Sequence, residues 1–275
     1  MQVTRLLRIE LTVADLDRAV AFYTSLPGLS SGGRDEADPA MAALLGAERI
    51  EQACLRRGDQ TILLQQFMPA GVPFPSDPAS CDQSFQHCAL PVADCQAAAR
   101  AIPASATPIS VGGPQQLPPR SGGATAYKFR DPDGHPLELI QFPDGHVNGV
   151  DHSAIVSSDV ERSIAFYRDQ LGLTVASRQT NRGPEQDRLD HLSDTVVDVV
   201  ALQPRVATPH IEILAYRSPP VRQAAPYQPR DIVATRLVLA VDAIPSPAGR
   251  LADGTDVALI RDPDRHLLLL MQEPA

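Results

Sequence analysis

Asp131-Pro132-Asp133-Gly134-His135-Pro136-Leu137-Glu138-Leu139 occurs a second time as Asp262-Pro263-Asp264-Arg265-His266-Leu267-Leu268-Leu269-Leu270. Upstream, Ala19-Val20-Ala21-Phe22-Tyr23, closing on Leu26-Pro27-Gly28-Leu29, returns as Ser163-Ile164-Ala165-Phe166-Tyr167, closing on Leu171-Gly172-Leu173. Self-similarity on this scale fixes the unit of folding and is read before anything else. Each Asp-Pro-Asp stretch reads as a tight turn between two strands.

Each half divides into two smaller units. Alternating Ile9, Leu11 and Val13 predict a first strand, and Asp15 caps a helix over Asp15–Ser25 that Pro27-Gly28 ends. Thr61–Phe67 reads as the strand closing this unit. The second unit opens at Phe85–Val92, carries an Ala-rich helix at Cys95–Ala101 and closes with a hairpin from Ala126–Arg130 to Pro136–Phe142. The third opens at His152–Ser157, with a helix over Val160–Gln170 and strands near Val196–Leu202 and Ile211–Tyr216. The fourth opens at Thr235–Val241 and closes at Leu267–Gln272; Ile244-Pro245-Ser246-Pro247 leaves it little room for a helix. Pro- and Gly-rich connectors separate the units, and Pro143–Gly149 is the natural domain boundary. Two domains follow, 1–142 and 148–275, each of mixed α+β structure whose sheets must pair to bury their apolar faces.

A chain of 275 residues suffices for two compact cores. The net charge of −9 argues against nucleic acid or an anionic membrane as main partner. No run approaches membrane-spanning length and the start lacks a signal-peptide core, so a cytoplasmic protein is expected, as monomer or homodimer. Cys54, Cys81, Cys88 and Cys95 form no Cys-x-x-Cys pair and read as plain thiols.

Taken together, the strand-Asp-helix-Phe-Tyr-Leu-Gly openings and the Asp-Pro-Asp-Gly-x-x-x-Glu-Leu closings resemble the vicinal oxygen chelate superfamily. That family includes glyoxalase I, extradiol dioxygenases, fosfomycin-resistance enzymes and bleomycin-resistance proteins. The resemblance implies four βαβββ modules forming two glyoxalase-like domains, with paired curved sheets enclosing a cleft. It also implies a divalent metal held by residues of the first and last strands of the modules.

Carried over unit by unit, with the capping Asp and the closing aromatic as anchors, these positions fall on His87 and Glu138 in unit two and His152 and Glu212 in unit three. In the outer units they fall on Arg8 and Leu63, and on Arg236 and Leu269, which do not suit a metal. If units one and two pair, and three and four, each cleft holds half a site. If unit one pairs with four and two with three, His87, Glu138, His152 and Glu212 converge on one ion, and the distribution of ligands favours this exchanged pairing. Two imidazoles and two carboxylates suit one divalent ion: Zn, Ni, Co, Mn or Fe.

Other residues carry weaker expectations. Tyr127, Asn181, Gln186 and His210 are candidate substrate contacts; Tyr127 and Lys128 are adjacent on a strand, so only one can face the cleft. The polar stretch Asn181–Asp190 reads either as a solvated loop or as a lid over substrate. His135 and His266 read as turn residues, and Arg8 and Arg236 as surface residues.

The expected function is that of a metal-dependent lyase or isomerase of glyoxalase type, acting on a small oxygenated carbonyl compound through a metal-bound enediolate, with Glu138 and Glu212 as catalytic carboxylates. The alternatives are an extradiol ring-cleaving dioxygenase and a metal-free antibiotic-binding protein. The scarcity of aromatics, with no Trp, speaks against the last.

Overall fold

The computed structural model describes residues 1–273. Unit one contains β1 (Val3–Thr12), α1 (Leu16–Thr24), β2 (Ser30–Glu36), α2 (Pro39–Leu44), β3 (Arg49–Arg57) and β4 (Gln60–Met68). Unit two contains β5 (Gln86–Pro91), α3 (Cys95–Ala101), the two-residue β6 (Thr107–Pro108) and β7 (Gln115–Gln116), then β8 (Thr125–Arg130) and β9 (Pro136–Gln141). Unit three contains β10 (His152–Val156), α4 (Val160–Ala165), β11 (Thr174–Arg182), α5 (Pro184–Asp190), β12 (Val196–Gln203) and β13 (His210–Ser218). Unit four has β14 (Thr235–Val241), β15 (Gly249–Arg250), β16 (Asp256–Arg261) and β17 (Leu267–Gln272), with no helix among the described residues. The first helix of each of the other units is started by an aspartate. The side chains of Asp15, Asp94 and Asp159 accept from the backbone N–H groups of Arg18, Ala97 and Arg162, satisfying donors that helix geometry leaves free.

Two sheets result, and each draws on both halves of the chain. One runs β15-β16-β17-β14-β1-β4-β3-β2, joining units four and one; the other runs β11-β12-β13-β10-β5-β9-β8-β6, joining units three and two. The seams are antiparallel, β1 against β14 and β5 against β10. The exchanged pairing expected from the sequence is therefore the one observed.

The repeated sequence motifs turn out to be one device. Tyr23 Oη donates to Asp131 Oδ2 over 2.9 Å, and Tyr167 Oη donates to Asp262 Oδ2 over 3.0 Å, all four groups buried. His135 and His266 are also buried, their Nε2 atoms 2.8 Å from the carbonyls of Thr12 and Val156. They are more than turn residues: each ties a turn to a strand of the preceding unit. Sheets thus join one to four and two to three, while these bonds join one to two and three to four. Alternation sends Leu237, Leu239, Ile155 and Ile213 into one core shared by both sheets with α1, α3 and α4. The opposite faces remain for other uses. Tyr167→Phe strands a buried carboxylate oxygen, and we expect a loss of about 1–3 kcal/mol in urea denaturation.

Candidate metal centre

Strand register places the candidate residues. At the seam, His87 on β5 faces Ala154 on β10. Ala89, two residues along, lies beside Glu138 on β9, and Ala154 lies beside Glu212 on β13. Period-two alternation therefore puts His87, Glu138, His152 and Glu212 on one face. The two alanines between them are fully buried and leave room above the sheet.

The donor atoms converge. Glu138 Oε2 is 3.2 Å from His87 Nε2 and 3.5 Å from His152 Nε2, and the two imidazole nitrogens are 3.4 Å apart. Glu212 Oε2 lies 3.5 Å from His152 Nε2. It stands outside the compact triplet of His87, Glu138 and His152, whose donor atoms all lie within 4.8 Å of one another. Ligands about 2.0–2.2 Å from an ion would sit about 3.0 Å apart at an octahedral edge and about 3.4 Å apart at a tetrahedral one. The observed spacings match such a polyhedron, and the donor types fit a divalent ion.

Electrostatics point the same way. Burial raises the Glu138 carboxyl pKa, but the His87 charge and hydrogen bonds from His152 and His87 outweigh it, leaving it well below the usual range. Burial lowers the His152 imidazole, yet Glu212, the hydrogen bond to Asp151 and Glu138 carry it well above its ordinary value. His87 is lowered, by burial that Glu138 only partly offsets. So much buried carboxylate charge favours a cation between the side chains. Asp151 Oδ2, 2.8 Å from His152 Nδ1, orients that ring with Nε2 toward the cluster.

A cavity of about 130 Å³ opens over these residues. Asn181 and Gln186 line it, from the end of β11 and from helix α5 rather than from a loop. His210 is on the expected face, with Nε2 3.7 Å from Glu212 Oε1 and its ring 5.4 Å from that of His152. It braces those two and does not line the cavity. Tyr127 is a correction: it stacks on Phe129 with ring centroids 6.0 Å apart and packs into the helix-side core. Its neighbour Lys128 faces the cavity, because alternation turns adjacent residues to opposite faces.

Lys128, which the sequence left as the alternative to Tyr127, takes the inward position. Its Nζ donates to Asp190 Oδ1 over 2.7 Å, and Asp190 Oδ2 accepts from Gln186 and Tyr216. The turn at Asp131–Gly134 was the available signal: the hairpin it sets pairs Lys128 with Glu138. Cys81, Cys88 and Cys95 are buried, Cys54 is partly so, and all are free thiols. Burial pushes the Cys88 thiol up to about 12, that of an inert core residue. A larger hollow of about 540 Å³ between the Pro-rich connectors is lined by Pro75, Asp82, Arg222 and Tyr227. It has no imidazole, and Arg222 is already paired with Asp77 and Asp82.

The outer sheet repeats the register with different side chains. Arg8 faces Val238, Glu10 lies beside Leu63, and Val238 lies beside Leu269. Glu10 stands where the inner sheet has Ala89, and it fills the space: Oε1 is 2.8 Å from Arg8 Nη2 and Oε2 is 3.2 Å from Arg236 Nε. Arg236 also donates to Thr12, to the Pro229 carbonyl and to Gln65. The expectation of a surface arginine fails here, since Arg236 is 0% exposed and Arg8 is half-buried. A guanidinium thus takes the place of an ion. We expect Arg236→Met to cost about 3–5 kcal/mol of stability by stranding part of Glu10, while metal content by elemental analysis stays unchanged.

A family model for the glyoxalase/bleomycin resistance protein/dioxygenase superfamily matches residues 5–139 and 149–270. The chain belongs to that superfamily. Among solved structures it is similar to glyoxalase I from Zea mays, at 16% identity and a TM-score of 0.64, covering 98% of this chain and 92% of that one. It is also similar to a candidate dioxygenase from Bacillus subtilis, at 12% identity and a TM-score of 0.57, covering 100% of this chain and 86% of that one. At these identities the likeness is one of fold. No curated protein matches the sequence. No helix among the described residues is long and apolar enough to cross a membrane.

Proposed function

We propose that the chain is a metal-dependent lyase or isomerase of glyoxalase type, moving a proton next to the carbonyl of a small oxygenated substrate. The observation that carries this reading is the buried convergence of His87, Glu138 and His152 at 3.2–3.5 Å, with Glu212 at its edge. These four side chains would hold one Zn, Ni, Co, Mn or Fe ion. When bound, such an ion supplies a Lewis acid that polarises a carbonyl and acidifies the neighbouring C–H.

The two carboxylates have different freedom. Glu138 is fixed between two imidazoles and its side chain is 6% exposed, whereas that of Glu212 is 20% exposed and touches His152 and His210. Glu212 is therefore the better base: its Oε2 takes the proton from carbon and returns it to the adjacent carbon. His210 Nε2 steadies that carboxylate, and Asp151 keeps His152 in position. The substrate is a small molecule, received in the cavity over these residues.

Assay of the metal-loaded protein against α-ketoaldehydes and hydroxyketones tests this reading; proton exchange at the carbon beside the carbonyl is the expected result. The compact triplet of two His and one Glu also favours a second reading, since that donor set suits iron oxygenases. If the iron-loaded protein consumes O₂ with a catechol and leaves the carbonyl panel untouched, ring cleavage replaces isomerisation. A metal-free antibiotic binder is disfavoured by a cavity of only about 130 Å³.

A further inference from the structure

The wall of the cavity away from the proposed ligands carries polar groups that the protein itself leaves unused. Asn181 Oδ1, Gln186 Oε1 and Ser121 Oγ are buried and have no hydrogen-bond partner among the described residues. All three residues line the cavity with His87, Glu138 and His152. Asn181 is 6%, Gln186 4% and Ser121 4% exposed, so these are enclosed groups. Burying such groups unpaired costs about 1–3 kcal/mol each, which a ligand can recover. The orientation of Gln186 is fixed, because its Nε2 donates to Asp190 Oδ2; the oxygen is left as an acceptor. Lys128 spends one N–H on Asp190 at 2.7 Å, and its ammonium has two more.

We infer that the substrate is a small, neutral, polyhydroxylated carbonyl compound, whose hydroxyl groups donate to Gln186 and Asn181 and whose oxygen accepts from Lys128. This deepens the proton-transfer reading above and rests on it. The polar wall and the charge balance select the class. Acceptors at Gln186 and Asn181 call for a ligand that donates, which a bare carboxylate or an alkyl ketone cannot do. The positive charge of Lys128 is already balanced by Asp190, and a divalent ion would be balanced by Glu138 and Glu212, so the site offers no surplus positive charge to hold an anion. Size sets the third limit: a cavity of about 130 Å³ suits a small compound.

The test is calorimetric titration of the metal-loaded protein with dihydroxyacetone, hydroxyacetone and glycerate. Both ketones offer a carbonyl and an adjacent hydroxyl, and only dihydroxyacetone has a second hydroxyl for the wall. We expect dihydroxyacetone to bind about tenfold more tightly than hydroxyacetone, and glycerate to bind more weakly than either. Asn181→Ala and Ser121→Ala remove groups that bond to nothing in the protein. Both should keep the wild-type metal content and melting temperature while the tenfold preference shrinks. Lys128→Met combined with Asp190→Asn, which strands no buried charge, should shrink it as well. Equal binding of the two ketones, tighter binding of glycerate, or an undiminished preference in both alanine variants would overturn the inference. Failure of the metal reading is separate, because it appears as absent metal in the wild type. The hydroxyl preference, measured on that same protein, still decides the substrate class.

Discussion

Replacing Glu212 with Gln should lower turnover by about 10²–10⁴-fold, the range expected for loss of a general base, while the protein keeps its metal. The amide preserves size and a ligating oxygen but cannot take a proton. Glu212 is the more exposed carboxylate and stands outside the tight triplet, so its loss should leave the coordination largely in place. Glu138→Gln should differ in kind. Glu138 Oε2 bridges His87 and His152, and weakening it should lower activity and metal retention together. Elemental analysis beside steady-state rates separates the two. Full activity in Glu212→Gln would remove it from the chemistry.

The second large effect concerns metal retention. His152 touches Glu138, Glu212, His87 and Asp151, so it is the node of the cluster. His152→Ala should weaken metal binding by at least about tenfold, since losing even a group behind a ligand costs about 10–100-fold. Metal content after dialysis against a chelator reads this directly. Retention equal to wild type would mean that the ion, if present, sits elsewhere.

Much of this site was legible because the chain carries its own comparison. The four units share a capping aspartate and a closing strand, and the same offsets that give His and Glu in the middle units give Arg and Leu in the outer ones. With the ligand positions that the family resemblance implies, that contrast favoured one pairing of the units, and the seams β5 to β10 and β1 to β14 agree. What the sequence concealed depends on tertiary contact. Arg236 reads by type as a surface residue, and its burial follows only once Glu10 is seen opposite it. Tyr127 and Lys128 were indistinguishable without hairpin register, and the charged residue faced inward because Asp190 awaited it. Unit one concealed β2, Ser30–Glu36, because it is polar and exposed along its length and lacks the alternation that marks a half-buried strand. α5 was obscured for a similar reason. Its polar residues suggested a loop, whereas Pro184 at its start and the burial of Gln186, Leu189 and Asp190 make it a helix with one face over the cavity.

Anomalous diffraction from crystals of the metal-loaded protein decides whether one divalent ion per chain sits between units two and three. The predicted map has a single strong peak per chain, about 2.0–2.2 Å from His87 Nε2, Glu138 Oε2 and His152 Nε2, with none beside Arg8, Glu10 and Arg236. A peak in the outer cleft, a second peak of equal strength, or an empty position among His87, Glu138 and His152 would contradict it.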